Sequence, residues 1–304
     1  MRLGTYNVHG FRGFGEGPDR PDLSQGPVWV EALARLACDV LALQEAGDDP
    51  VRVREIARGL GMEALWLPSP GRWPGAILWG HRFRCVEGGV LRTEAAGEDG
   101  PFSRSAGFVR LEAADRGPDA EPDERLDRET LEILSIHAHP SDAEMRMQEA
   151  LRLEEWWEGF RSIERLERDG DRPTAGSTAV MGDFNSESGE PLHRTLARLG
   201  LQSVFEPGRA PRTHLKDRDR VAVDHIHLSR GLRGALRGAG VVREAGFQPG
   251  TPGGWAFSDH LPVVADLAWS PLRAAPIDAG PLRSAVPERE KSGGRPGSEG
   301  AAEE

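Results

Sequence analysis

Short apolar runs alternate with amphipathic segments along the first 270 residues of the chain. The apolar runs predict strands at 3–8, 40–44, 76–79, 106–111, 131–136, 179–182, 223–228, 240–243 and 262–267. The amphipathic segments predict helices at 28–36, 51–60, 142–166 and 191–199. Strands and helices that alternate in this way indicate one mixed α and β domain rather than a helix bundle or an all-β barrel.

The helix predicted at 142–166 has the clearest pattern. Ser141 can cap its first turn, with Glu144 three residues later. Its apolar residues recur at near-helical spacing: Met145, Leu151, Leu153, Trp156, Phe160 and Ile163. Because such a stripe usually faces the core, we expect this helix to pack on a sheet.

The composition changes after residue 270. Segment 271–304 is rich in Pro and Gly and has almost no large apolar side chains, so it is predicted to be a disordered tail behind a folded domain at 1–270. The whole chain carries 38 Lys and Arg against 49 Asp and Glu, a formal net charge of −11. This balance argues against a plain basic scaffold for nucleic acid.

The two cysteines, Cys38 and Cys85, both lie in apolar runs. We expect them to be reduced core residues rather than parts of a disulfide framework or a zinc site. Residues 1–30 lack the apolar centre of a signal peptide. No apolar run approaches the roughly 18 residues that a membrane helix needs. We therefore expect a cytoplasmic protein without a membrane span.

Amide and carboxylate residues stand where apolar runs end. Asn7 follows one predicted strand, Glu45 follows the next, and Asp259 precedes the last. A buried carboxylate is costly unless it is paired, so several that converge indicate a bound hard cation. These three residues offer only oxygen ligands, which suit Mg²⁺ or Mn²⁺. Taken alone, Glu45 would be a helix cap or a salt-bridge partner.

Two histidines have neighbours that suggest chemistry. His137 ends a predicted strand, and His260 stands in a Ser-Asp-His sequence just before another. A buried carboxylate fixes the tautomer of a histidine and makes it more basic, and Asp224 is the candidate partner of His260. His139, His225 and His227 are weaker candidates. We expect core or surface roles for the remaining four: His9, His81, His193 and His214.

The sequence Gly-Asp-Phe-Asn is the most specific element. Gly182 permits a sharp backbone turn. Asp183 and Asn185 then point the same way, while Phe184 between them points into the core. An aspartate and an amide two residues apart can together bind a phosphate and the water that attacks it. The apolar run before this sequence and the helix predicted after it strengthen the interpretation.

With YNVHG, LQE, GDFN and SDHLPV in this order, residues 1–269 resemble the endonuclease/exonuclease/phosphatase superfamily, which has the deoxyribonuclease I fold. The resemblance implies an α/β (α+β) fold in which a four-layer, two-sheet β-sandwich is flanked by helices. The site is then expected at one end of the sandwich. The implied activity is hydrolysis of phosphoesters with Mg²⁺ or Mn²⁺.

The resemblance also implies roles for single residues. Asn7, Glu45 and Asp259 resemble the metal ligands of the family. Asp183 is similar to the aspartate that positions or deprotonates water, and Asn185 to the amide that holds the phosphate. His260 with Asp224 resembles the catalytic histidine. His137 is similar to a second histidine, and Arg104 to a phosphate-binding arginine. Because no acid occurs between residues 68 and 80, the partner glutamate found in some members is missing. His137 can therefore be an acid or base, or only a phosphate ligand.

Three functions are compatible with these residues. The sequence predicts a nuclease-like enzyme that cleaves phosphodiester bonds in nucleic acid. The alternatives are an enzyme for small phosphoesters, such as nucleotides, inositol phosphates or lipid headgroups, and an inactive binding module. We expect no protein partner. The basic residues that could contact nucleic acid lie in one segment: Arg209, Arg212, Lys216, Arg218 and Arg220.

Overall fold

The computed structural model describes residues 1–17, 19–91, 102–114, 130–167, 177–206, 208–216, 222–250 and 254–269. The predicted tail at 271–304 lies outside these described residues, and so do Arg218 and Arg220.

The described residues form twelve strands and five α-helices. The strands are β1 (Arg2–Asn7), β2 (Val40–Gln44), β3 (Met62–Leu67), β4 (Gly75–Gly80), β5 (Phe83–Val90), β6 (Ala106–Ala113), β7 (Leu131–His137), β8 (Ser177–Asp183), β9 (Leu201–Ser203), β10 (Asp224–Ser229), β11 (Leu236–Val241) and β12 (Val263–Leu267). The helices are α1 (Gly26–Ala34), α2 (Pro50–Gly59), α3 (Ala143–Glu167), α4 (Pro191–Arg198) and α5 (Arg230–Ala235).

Two mixed sheets of six strands organise these elements. Their strand orders are β11-β12-β1-β2-β4-β3 and β5-β6-β7-β8-β10-β9. Neighbouring strands are antiparallel except for β1 with β2 and β7 with β8, which are parallel. The central parallel pairs matter for function, because parallel strands end at the same edge of a sheet.

Apolar residues on both faces of the central strands produce the layers. On β2, Val40 and Ala42 join the core between the sheets, whereas Leu41 and Leu43 pack with α1 and α2. On the second sheet, Val180 and its neighbours pack with α3 and α4. Each fully buried side chain of this size contributes about 1.5–3 kcal/mol. The result confirms the predicted four-layer sandwich with helices outside.

Helix α3 begins at Ala143, close to the predicted start, but Ser141 does not cap it. The side-chain Oδ1 of Asp142 instead accepts the backbone N–H of Glu144 at 2.9 Å and of Met145 at 3.1 Å. A carboxylate placed directly before the helix both satisfies free N–H groups and favours the positive end of the helix dipole.

The buried face of α3 also differs from the predicted stripe. Leu153 is buried as expected, but Met145 is 37% exposed and Leu151 is 52% exposed. Ala150 and Trp157 are buried in their place, because they follow the spacing of three and four residues from Leu153 that one helix face requires. Trp156 is partly buried, and the side chains of Phe160 and Ile163 lie outside the described part of the chain.

The strands that the sequence pattern misses are at sheet edges. β3, β5 and β9 were not predicted, and each is the last strand of its sheet. The fourth edge strand, β11, was predicted four residues too late, and none of its residues is buried. Edge strands are covered by fewer neighbours, so their apolar pattern is weak. The short helix α5 was also missed.

Both cysteines carry free thiols, as predicted, but both are partly exposed rather than in the core. Burial nevertheless raises the pKa of Cys38 to about 12. In the described residues, no helix combines the length and the apolar character needed to cross a membrane.

Candidate active site

The inner face of each sheet becomes polar at one end of the sandwich. In the first sheet, the parallel register sets Asn7 opposite Gln44. In the second sheet, Asp183 lies between His137 on β7 and Asp224 on β10. We call the following residues the polar rim: Asn7, Glu45, His137, Asp183, Asn185, Asp224 and His260. The rim is built from both sheets.

A buried glutamine joins the two sheets beside the polar rim. Thr5 Oγ1 donates to Gln44 Oε1 at 3.1 Å within the first sheet. Gln44 Nε2 then donates to Ser135 Oγ, on the second sheet, at 3.4 Å. All three side chains are buried. Gln44 is the last residue of β2, and Thr5 and Ser135 stand two residues before the ends of β1 and β7. These inward-facing polar side chains therefore link the two sheets directly.

Asn7 connects two acids of the polar rim. Its Nδ2 donates to Glu45 Oε1 at 3.1 Å and to Asp183 Oδ2 at 3.0 Å. Glu45 follows β2 in a left-handed backbone conformation, with φ of 53°. Such a conformation costs a non-glycine residue about 1–3 kcal/mol and is common at functional sites. The strain turns the carboxylate of Glu45 back towards Asn7.

Arg104 reaches the polar rim from the loop before β6 and lies over the ring of Trp73. Its Nη1 donates to Glu45 Oε1 at 3.1 Å and lies 2.9 Å from His137 Nε2. Because arginine has only donors, His137 Nε2 is the acceptor and the proton lies on Nδ1. Burial, and then the positive charges of Arg104 and His260, hold the pKa of His137 well below its ordinary value. His137 is therefore neutral and faces the arginine.

His260 is held by Asp224. Its Nδ1 lies 2.9 Å from Asp224 Oδ2, and its Nε2 lies 3.8 Å from Asp183 Oδ2. Burial alone lowers the pKa of His260, but the carboxylates of Asp224, Asp183 and Asp259 overcome this effect and raise it to about 10. The imidazole is therefore protonated at neutral pH and presents a positive charge beside Asp183.

Asp259 is surrounded by cationic and imidazole groups. Lys216 Nζ donates to its Oδ2 at 2.6 Å. His9 Nδ1 and His214 Nε2 lie 3.6 Å and 3.8 Å from its carboxylate oxygens. Burial raises the pKa of Asp259, but His260, Lys216 and His9 together lower it to about 2. Asp259 lies in the same region as the polar rim, although its nearest partners are these side chains and not Glu45.

The Gly-Asp-Phe-Asn sequence shapes the centre of the polar rim. Gly182 has φ of 153°, and a Cβ atom there would lie 1.8 Å from the carbonyl oxygen of Ile136. Asn185 is left-handed, with φ of 48°. Its backbone N–H donates to Asp183 Oδ1 at 3.0 Å, and its Nδ2 donates to the carbonyl of Ala138 at 3.0 Å. The structure therefore brings Asp183 and Asn185 together through a left-handed turn rather than an extended segment, and Asn185 helps to fix Asp183.

The oxygen donors of the polar rim fit a hard divalent cation. Oε2 of Glu45 is buried and has no hydrogen-bond partner within the described ranges, and an anionic oxygen in that state is costly without a cation. Of the three predicted metal ligands, Asn7 and Glu45 are in contact, whereas Asp259 is bound by Lys216.

Sequence reasoning missed the residues that support this site. Glu149 is buried in α3, and its Oε1 accepts both the N–H and the hydroxyl of Ser103, at 2.9 Å and 2.7 Å. Its Oε2 accepts the N–H of His139 at 3.0 Å. Burial raises the pKa of Glu149. Through its hydrogen bonds to Ser103, Glu149 anchors the loop that carries Arg104. An acid on the apolar face of a helix was the available signal.

The three partners of Asp259 were also missed. His9 and His214 were expected to have ordinary core or surface roles, and Lys216 was assigned to a basic segment. His9 follows Asn7 closely enough to have been suspected. His214 and Lys216 stand in a stretch of sequence without a periodic pattern, so no signal in the sequence pointed to them.

The basic segment makes internal contacts in its described part. Arg209 pairs with Glu206 at 3.0 Å. Arg212 donates to two backbone carbonyls, at 2.7 Å and 2.9 Å. Lys216 binds Asp259. Arg212 and Lys216 are therefore engaged within the protein, whereas the side chain of Arg209 is 80% exposed.

Comparison with solved structures finds the same fold in several other proteins. The catalytic domain of human Nocturnin, with bound sulfate, is 19% identical with a TM-score of 0.61, covering 89% of this chain and 94% of that one. A mannosyl-6-phosphatase from Bacteroides thetaiotaomicron is 16% identical with a TM-score of 0.61, covering 88% of this chain and 100% of that one. A 3′ phosphatase from Neisseria bound to a product DNA hairpin is 18% identical with a TM-score of 0.59, again covering 88% and 100%.

A family model adds evidence at the level of sequence. The model for the endonuclease/exonuclease/phosphatase family matches residues 4–260. No curated protein sequence matches the chain. The family match spans most of the folded residues and contains every member of the polar rim. The chain therefore belongs to the endonuclease/exonuclease/phosphatase family.

Proposed function

We propose that the protein hydrolyses phosphoester bonds with Mg²⁺ or Mn²⁺, by in-line attack of water at the polar rim. The observation that carries this proposal is the position of Asp183. Its Oδ2 accepts from Asn7, which also binds Glu45, and it lies 3.8 Å from the protonated His260. Transfer of a phosphoryl group to water needs a base, a fixed positive charge and a cation site close together. The polar rim combines a buried acid with both of the other features.

Asp183 takes the proton of the attacking water in this proposal. Burial, reinforced by Asp224, raises its pKa against the opposing effects of His260, Asn7 and Asn185. A carboxylate with a raised pKa is a better base than an exposed one. Both of its oxygens are held by hydrogen bonds, so little reorganisation precedes proton transfer.

Positive groups around Asp183 stabilise the phosphate. His260 holds a proton on Nε2 and is kept in place by Asp224, so it can donate to a phosphoryl oxygen. Arg104 and the amide of Asn185 are the proposed phosphate ligands. His137 accepts from Arg104 and thereby helps to orient it, which makes His137 a positioning residue in this proposal.

Glu45 and Asn7, with Asp259 as a third candidate, would hold the divalent ion. When bound, the ion supplies Lewis-acid stabilisation of the negative phosphate oxygens.

Removal of the metal tests the proposed reaction. We expect chelation to lower phosphoester turnover at least about 10²-fold, and added Mg²⁺ or Mn²⁺ to restore it. Glu45→Gln should raise the metal concentration needed for half-maximal activity. Glu55→Gln, an exposed change on α2, is the matched control and should leave that concentration unchanged. Full activity after thorough chelation contradicts the proposal.

A cavity favours small phosphoesters over long nucleic acid. Its volume is about 880 Å³, and Glu45 and His9 of the site region line it. The lining also includes arginines and further acids: Arg12, Arg20, Arg52, Arg72, Asp22, Asp48 and Asp49. This volume is typical of sites for small molecules. The net charge is −11, and in the described part of the basic segment Arg212 and Lys216 bind groups of the protein itself, which argues against a long phosphate backbone as the ligand. The nuclease-like activity predicted from sequence is the competing candidate.

A further inference from the structure

Three histidines lie together behind the loop that carries Asp183 and Asn185. We call His193 of α4 with His225 and His227 of β10 the histidine cluster. Their exposed fractions are 6%, 0% and 3%. One ring nitrogen from each lies within 4.8 Å of one from both others. His225 and His227 are two residues apart on β10, so they share the face opposite to Asp224. The cluster is therefore separate from the polar rim.

The hydrogen bonds of two members fix their tautomers. Nε2 of His225 faces the carbonyl oxygens of Ser186 and Ala222, at 3.0 Å and 3.2 Å. Nε2 of His193 faces the same Ser186 carbonyl at 3.3 Å. A carbonyl only accepts, so both Nε2 atoms carry protons and both Nδ1 atoms carry lone pairs. Within the described chain, the buried Nδ1 of His225 has no hydrogen-bond partner.

The third member completes a ligand set. Nδ1 of His193 lies 3.1 Å from Nε2 of His227. Two imidazoles on a tetrahedral zinc, with Zn–N distances of about 2.0–2.1 Å, have their nitrogens about 3.3 Å apart. His227 now donates this hydrogen bond. An ion bound between the two rings would replace the proton on Nε2 of His227. That proton would move to Nδ1 of the same ring, so His227 stays neutral and changes only its tautomer.

The chemistry of the cluster selects the kind of ion. Burial, and then the neighbouring imidazoles, lower the pKa of His225 to about 3 and that of His227 well below its ordinary value. Burial also lowers the pKa of His193. Three neutral imidazoles suit Zn²⁺ and similar transition metals, whereas Mg²⁺ prefers oxygen ligands. The Ser186 carbonyl binds two of the rings from outside, as the second shell of a zinc site commonly does.

A cavity gives an ion access to the cluster. It has a volume of about 490 Å³ and lies beside α4 and β9, with His193 and His227 in its lining. The open side leaves room for water as a fourth ligand, which completes the tetrahedral coordination that zinc favours.

We infer that the histidine cluster binds one zinc-class transition-metal ion through His193, His225 and His227. The ion then connects α4 and β10, whose histidines bind the Ser186 carbonyl. It thereby stiffens the loop that carries Asn185 of the polar rim. This inference does not depend on the proposed function, because it concerns other side chains and another class of metal.

Zinc binding by the full chain tests the inference. The protein is stripped with a chelator and dialysed against Zn²⁺ in the presence of excess Mg²⁺, which occupies oxygen sites. We expect about one zinc per chain, with X-ray absorption that shows imidazole nitrogens at about 2.0–2.1 Å. His193→Asn should weaken zinc binding at least about tenfold. Glu45→Gln, in the polar rim, and His81→Asn, an exposed histidine, should leave it unchanged.

The outcomes separate the alternatives. Failure to retain zinc in the wild-type protein overturns the inference and indicates a cluster held by hydrogen bonds or water. Zinc that shows oxygen ligands, or that is lost in Glu45→Gln, also overturns it. If circular dichroism shows that His193→Asn does not fold, the absorption spectrum of the wild-type protein decides. None of these readouts measures hydrolysis.

Discussion

At the residue scale, the surroundings give two aspartates opposite properties. Asp183 is buried near Asp224, and its pKa is raised. Asp259 is also desolvated, but His260 and Lys216 lower its pKa to about 2. The first is therefore a stronger proton acceptor than an exposed aspartate, while the second remains a fixed negative charge. Residue type and sequence position could not distinguish the two aspartates, because the difference comes from side chains that are close in space but mostly distant in sequence.

Replacement of Asp183 by alanine should lower kcat by on the order of 10² or more, because the water loses its base and its orienting group. Circular dichroism must show that the variant folds. Asp266→Ala is the control, since Asp266 forms a surface ion pair with Arg2. We expect its kcat within about threefold of the wild-type value, as for exposed ion pairs in general. A loss of less than about threefold in Asp183→Ala would reassign the residue.

His260 should make stability depend on pH. Its pKa is about 10 in the folded protein, and about 6.5 is the ordinary value for an unfolded chain. The folded state binds the proton more tightly, so this contribution to stability is complete below pH 6.5 and disappears as the pH rises through 10. Urea unfolding of metal-free protein should show the advantage of the wild type over His260→Gln shrinking across this interval. An advantage that stays constant across this interval contradicts the assignment.

At the element scale, β8 is the strand that joins the proposed catalytic groups. Its neighbours β7 and β10 place His137 and Asp224 beside Asp183. The sequence predicted the central strands and their polar ends well, because residues buried on both faces leave long apolar runs. It missed β3, β5 and β9, where an edge position leaves no such run. Long-range partners such as Glu149 and Lys216 were missed because they lie on other elements.

Gly182→Ala should destabilise the protein by about 1–3 kcal/mol or more, because the new Cβ would overlap the carbonyl of Ile136. Gly240→Ala on β11 is the control, since a Cβ there meets no atom within 4 Å. We expect it to change the free energy of unfolding by less than about 1 kcal/mol. Urea denaturation measures both variants. If Gly182→Ala is as stable as Gly240→Ala, β7 can move away from β8 to make room for the new Cβ, and the expected overlap costs no stability.

At the scale of the whole molecule, charge and shape bear on substrate size. The net charge is −11, while the cavity beside Glu45 contains exposed arginines. The lining of this cavity also holds acids, but its arginines can still bind a compact anion by charge-assisted hydrogen bonds. It lacks the extended contacts that give nucleic-acid binding its steep dependence on salt. Composition alone showed the global charge but not the pocket.

A substrate panel should distinguish the two substrate classes. It includes p-nitrophenyl phosphate, bis-p-nitrophenyl phosphate, plasmid DNA and an abasic-site duplex, each at several salt concentrations. We expect turnover of the small esters with weak salt dependence. Arg72→Ala should lower their kcat/KM by about tenfold, the loss of one charge-assisted hydrogen bond. Arg54→Ala, exposed on α2, should not. DNA cleavage that falls steeply with salt would instead support the nuclease.

The hydrogen bond from Gln44 to Ser135 bears on how the proposed activity would be lost. Asn7 and Asp183 belong to different sheets, so a slide of one sheet over the other by about 1 Å would misplace the proposed reacting groups, which can cost on the order of 10²-fold in rate. Each sheet would keep its own strand pairing in such a slide. Mild heat or pressure should therefore lower phosphoester turnover while circular dichroism still reports a native content of helix and strand.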